Sequence, residues 1–236
     1  QDDDNYLIVA DVARGDGADS STFHVFKLQT MEIVAEYKGK PTSDLFAEIL
    51  YTTGVEYKEA MLVVENNNVG FSVLEKILEK GYKNVYHSKK GSHQYVEQYA
   101  ALGDSSVVPG FTTSLKTRPL IIAKFEEFIR NKVLTIYSKR LANELDTFIW
   151  KNGRPEAQRG YNDDLVMAAA IGCWVRDTAI IENQRDVEYK KAFLNSISTT
   201  RTNLDTRAPG QYKASLRESF EEQQKIRKQF SWIFKG

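Results

Sequence analysis

A chain of 236 residues, 42% hydrophobic and 27% charged, is long enough for one full-sized core, or for one core and a tail, and has the balance of an ordinary globular protein. Its 32 Lys and Arg are matched by 32 Asp and Glu, so overall charge announces no nucleic-acid partner. No apolar run approaches the length that crosses a bilayer, which argues against a membrane role, and the lone Cys173 excludes an intrachain disulfide and suits a reducing cytoplasm.

In chain order, residues 5–12 (NYLIVADV) form an almost unbroken apolar run, the pattern of a central strand buried on both faces. After a Gly-rich turn, 21–28 and 31–37 suit two further strands, and the short Gln29-Thr30 link predicts a hairpin. Residues 42–57 read as a helix capped by Ser43, 60–65 (AMLVVE) as another buried strand, and 69–80 as an amphipathic helix closed by Gly81. A short strand at 84–87 precedes an aperiodic stretch, 88–111, read as a loop or mobile hairpin. Residues 117–131 are expected to be helical, with Pro119 in the first turn; 134–137 are strand-like, 139–150 helical, and 151–160 a polar turn. A helix with a small, apolar face follows at 163–175. The remainder is expected to form two helices around a Thr/Asn/Pro/Gly linker near 199–211, with 11 Lys/Arg against 6 Asp/Glu over 184–236.

Three successive strands predict an antiparallel meander, and strands followed by helices predict parallel neighbours. The fold class expected is α/β: a mixed β-sheet flanked by helices, of ribonuclease-H-like type, over residues 1–180, with a helical C-terminal tail at 181–236.

Acids stand where burial makes them costly. Asp11 is near the end of one buried strand, Glu65 ends a second, and Asp163 and Asp164 open a helix that continues Leu165-Val166-Met167. Any one of these can be a loop or helix cap, with Asn162 a further cap candidate; together they suit a cluster at one sheet edge closed by a helix start. Convergent carboxylates repel unless hard cations bridge them, and an all-oxygen donor set suits Mg2+ or Mn2+. Two such ions activate a water and stabilise the leaving oxygen of a phosphodiester. A zinc site is hard to build, because His24, His87 and His93 lie at no ligand spacing from Cys173.

The Gly15-Asp16-Gly17-Ala18-Asp19-Ser20 turn half-matches a dinucleotide fingerprint, but a strand follows it where that fingerprint demands a helix. A tight turn is the better reading, with Asp19 reaching toward the metals or bonding the turn backbone. No GxxxxGK[ST] phosphate loop occurs, so the chain is not expected to hydrolyse ATP by itself. Cations to hold a DNA backbone are offered by Lys89 and Lys90 in the irregular loop and by Lys116 and Arg118 before a helix, although an exposed Lys is more often merely solvated.

Three motifs, VADVARGDGADSS (9–21), LVVENNNVG (62–70) and GYNDDLVMAAAIGCW (160–174), resemble in order, spacing and flanking residues the acidic motifs of large terminase nuclease domains of tailed bacteriophages, particularly the contractile-tailed. The resemblance covers roughly residues 5–177. It implies a ribonuclease-H-like endonuclease that cuts concatemeric double-stranded viral DNA during packaging, dependent on Mg2+ or Mn2+. Asp11 matches the first acid, Glu65 the second, and Asp163-Asp164 the third. The family motif usually has His before that pair, where this chain has Asn162. The resemblance further implies an ATPase domain ahead of Gln1, portal and small-terminase partners, and a place in the cytoplasm of an infected bacterial host. The alternatives are a junction resolvase or other ribonuclease-H-like nuclease, and a non-catalytic DNA- or portal-binding module.

Overall fold

The apolar run at the N-terminus becomes β1 (Tyr6–Asp11), whose four central residues, Leu7 to Ala10, are buried. In the computed structural model, residues 4–13, 19–67, 69–89, 95–96 and 106–177 are described, all within one unit, Gln1–Asp186. The expected tail at 181–236 lies outside the described residues.

β1 is flanked by β2 (Ser21–Lys27), antiparallel, which pairs in turn with β3 (Glu32–Gly39), also antiparallel. Helix α1 (Ser43–Glu56) follows, and the chain returns in β4 (Met61–Val64), parallel to β1. The sheet order is thus β3-β2-β1-β4, the mixed sheet expected from the sequence. The cap of α1 is Thr42 rather than Ser43, its hydroxyl accepting from the Leu45 amide at 3.4 Å.

After α2 (Val69–Glu79), single parallel bridges from Leu62 to Val85 and from Glu65 to Phe111 extend the sheet beyond β4. The stretch read as a loop or mobile hairpin carries a small antiparallel sheet. β5 (His87–Lys89) lies between β6 (Tyr95–Val96) and β7 (Val107–Pro109).

Helix α3 (Thr117–Arg130) begins where Ser114 and Thr117 cap each other's amides, at 2.7 and 3.1 Å. The strand-like segment 134–137 makes only a bridge, Thr135 to Glu32. The next helix, α4 (Lys139–Asp146), stops four residues before Trp150. The residues beyond it form a hairpin, β8 (Phe148–Lys151) against β9 (Arg154–Ala157). This hairpin stands where a helix running to 150 and a polar turn at 151–160 were expected. Asn152 and Gly153 both have positive φ, 49° and 75°, as the tight turn of a two-residue hairpin requires.

Alternation along the strands sorts the core into two faces. Ile8, Ala10, Leu62 and Val64 pack toward α1 and α2. Leu7, Val9 and Val63 pack toward α3 and the last helix, α5 (Asp164–Val175). All residues of α5 except Trp174 are buried, so this helix has no solvent face, unlike the one-sided helix expected. Burying side chains such as Leu165, Val166 and Ile171 stabilises by about 1.5–3 kcal/mol each. The helix lies close enough to β2 that a Cβ on Gly172 would meet the buried Phe26 ring at 2.5 Å.

Candidate metal centre

The register brings two predicted acids together. Ala10 pairs with Val64, so one step further along the parallel strands sets Asp11 beside Glu65. The Glu65 amide donates to the Ala10 carbonyl at 2.9 Å, which fixes that step. By alternation both side chains belong to the face covered by α5.

The turn after Glu65 is tied down around it. The Asn67 amide group donates to Glu65 Oε1 at 2.7 Å, and Asn66 donates to the Pro109 carbonyl at 3.0 Å. Gly70 lies so close that a Cβ there would be 1.7 Å from the Glu65 carbonyl oxygen.

The N-terminus of α5 closes the group. Thr22, the cross-strand partner of Asp11, donates its hydroxyl to the Asp164 carbonyl at 3.2 Å. Two residues along β2, His24 Nε2 lies 3.0 Å from the Leu165 carbonyl. Since a carbonyl only accepts, the neutral imidazole carries its proton on that nitrogen. The Ser20 amide donates to Asp164 Oδ2 at 3.0 Å, and the Asn162 amide group to the same oxygen at 3.2 Å. Asn162 thus precedes the cap position, which Asp163 occupies.

The electrostatics follow from this crowding. Burial raises the Asp11 carboxyl well above the usual carboxylate range, and the Glu65 charge, a hydrogen bond with Glu65, and the charges of Asp164 and Asp163 raise it further. Burial also raises Asp164, opposed by the Ser20 amide, Asn162 and Lys38. Asp19 is exposed and contributes a small further repulsion to Asp164. Glu65, Asp163 and Asp164 are therefore all electrostatic neighbours of Asp11, and the all-oxygen donor set of the four fits hard divalent cations. Among the described residues, no three His, Cys, Asp or Glu side chains stand together as a ready-made metal cage. Side chains would have to turn to complete one.

The cations are divided. Arg118 forms an ion pair with Asp163 through Nη2 and donates its Nε proton to the Pro155 carbonyl at 2.9 Å. Lys89, on β5, and Lys116, just before α3, are exposed. Lys90 lies outside the described residues.

Two residues next to the site went unnoticed in the sequence. Lys38, on β3, forms an ion pair with Glu144 and stands 3.9 Å from Asp164 Oδ2. Glu144, on α4, is buried, and its other oxygen accepts the Leu165 and Val166 amide protons at 2.9 and 3.2 Å. One signal could have found it: Glu144 is three residues after Leu141, on the apolar side of a helix where an acid needs a partner.

No protein-family model matches the sequence. Solved structures do. The large terminase nuclease from thermophilic phage G20c with bound magnesium is 19% identical over 73% of this chain and 82% of that one, with a TM-score of 0.55. The same nuclease with bound cobalt gives the same values. The Thermus phage P74-26 large terminase nuclease domain is 20% identical over 72% and 78%, with a TM-score of 0.51. The chain has the ribonuclease-H-like fold of phage large-terminase nuclease domains.

Proposed function

We propose that this chain is a metal-dependent endonuclease acting on double-stranded DNA, the nuclease part of a large terminase that cuts concatemeric viral DNA during packaging. The observation that carries the reading is the convergence of Glu65, Asp163 and Asp164 on Asp11, whose carboxyl is raised by burial first and by those three acids further. A fold shared with magnesium- and cobalt-bound phage nucleases supports it. Asp11, Glu65 and the Asp163-Asp164 pair would hold Mg2+ or Mn2+, with Asp19 at the margin. Bound divalent ions would supply an activated water and stabilise the leaving oxygen.

Lys89 and Lys116, with Lys90, would track the phosphate backbone, and Arg118 would do so while orienting Asp163. An attached ATPase domain, portal and small-terminase partners, and action in the cytoplasm of an infected bacterium belong to the same proposal. A second reading, a non-catalytic DNA- or portal-binding module, draws on the pairing of Asp163 with Arg118, which engages that acid without a metal.

Cleavage of supercoiled plasmid separates the two. The nuclease reading expects nicking with Mg2+ or Mn2+ and none in excess chelator. Asp11→Asn and Glu65→Gln, which remove a charge and keep the shape, should each lower the rate at least about 100-fold with the fold intact. Undiminished cutting in chelator, or wild-type cutting by Asp11→Asn, would overturn it.

A further inference from the structure

An acid at the start of a helix ordinarily turns back onto that helix's own unpaired amides. In α5 this does not happen: Asp163 occupies the cap position and makes no side-chain capping bond. The Leu165 and Val166 amides are satisfied by Glu144 Oε2, delivered from α4. The other Glu144 oxygen pairs with Lys38, which arrives from the edge strand β3. The Lys38 ammonium then stands 3.9 Å from Asp164 Oδ2, beyond hydrogen-bond distance. Glu144 and Asp164 are both buried, at 7% and 8% exposure, so neither charge is screened by bulk water.

We propose that Glu144 is a positioning residue: it caps α5 in place of the motif acids and holds Lys38 off Asp164, keeping Asp164 available to Asp11 and Glu65. The proposal rests on the metal-dependent reading above. Without the Glu144 charge, Asp164 is the remaining carboxylate beside the ammonium. A movement of roughly 1 Å would close a direct charge-assisted bond. That bond would add a third donor to an oxygen that already accepts from Ser20 and Asn162 and would neutralise the charge that draws a divalent cation. Lys38 therefore competes for Asp164 when the Glu144 carboxylate is removed and is engaged by that carboxylate when it is present.

The test uses the full chain and reads Mn2+ binding by the loss of the free-ion electron paramagnetic resonance signal, with kcat and KM for plasmid cleavage alongside. Glu144→Gln keeps the shape and an amide-accepting oxygen. It should weaken Mn2+ binding roughly 10- to 100-fold, the usual cost of losing a residue that supports metal ligands, and lower kcat with KM for DNA unchanged. Adding Lys38→Met to Glu144→Gln removes the competing ammonium, and the double variant should return to within about 3-fold of wild-type Mn2+ affinity. A purely structural cap predicts no such recovery. Should the single variant fail to fold, the double variant, which leaves no ammonium stripped of its Glu144 partner, decides alone. A Glu144→Gln chain that binds Mn2+ like wild type, or a double variant as weak as a 10-fold loss or worse, overturns the inference alone. A wild-type chain that binds no Mn2+ overturns the metal-dependent reading and this inference with it.

Discussion

His24 illustrates how single polar side chains hold the α5 terminus under the sheet. It is buried and bonded through Nε2 to the Leu165 carbonyl, and burial lowers its pKa from 6.5 to about 4. Glu36, 3.8 Å from Nδ1, opposes that shift, and Arg140, itself paired with Glu36, adds to it. The imidazole is therefore neutral in the fold at pH values where the unfolded chain has already taken up a proton. Between about 6.5 and about 4 the unfolded state binds more protons, so stability falls as pH falls through that window. The loss attributable to His24 should reach up to about 3 kcal/mol. Urea unfolding at pH 7 and pH 4.5, comparing wild type with His24→Gln, measures it. The variant should lose distinctly less stability on acidification; equal losses would show that His24 does not titrate on unfolding. Little of this was legible in the sequence. His24 interrupts an otherwise apolar strand, but nothing local says that its partner is a carbonyl 141 residues away. Asp11 and Glu65 were legible because each ends an apolar strand, and a parallel register sets such strand ends side by side.

At the scale of elements, the clearest constraint is the approach of α2 to the end of β4. The Gly70 amide donates to the Asn67 carbonyl at 3.0 Å while its Cα faces the Glu65 carbonyl, leaving no room for a side chain. Gly70→Ala should push the first turn of α2 away from Glu65. Overpacking of this kind costs about 1–3 kcal/mol, and cleavage should fall with it, because the displaced carbonyl belongs to the residue that carries the second acid. A denaturant midpoint and a cleavage rate both equal to wild type would contradict the close approach. The sequence presented Gly70 only as part of a motif, since steric closeness to a neighbouring strand leaves no periodic trace. The β8–β9 hairpin was missed for a different reason. Residues 139–150 continue a helical pattern past Asp146, and that pattern masked the Asn152-Gly153 turn signal. The mixed character of the sheet was legible because short links force antiparallel neighbours and an intervening helix permits a parallel one; that β4 joins at β1 was not.

Across the described residues, two packed layers meet at the four-stranded sheet, and α5 runs through one of them as a core helix. The consequence is that the acid cluster is built from distant parts of the chain: two strand ends, a helix start, and the Lys38–Glu144 pair beside it. Strand ends and a helix start, rather than loops, therefore set the placement of these acids. That arrangement turns the central claim into a question of where a cation binds. Crystals of the full chain soaked in Mn2+, with data collected at the manganese absorption edge, answer it most directly. The account predicts anomalous density lying between the carboxylates of Asp11, Glu65 and the Asp163-Asp164 pair, and its loss in Asp11→Asn crystals. Manganese bound only elsewhere on the surface, or density at the cluster that persists unchanged in Asp11→Asn, would contradict it.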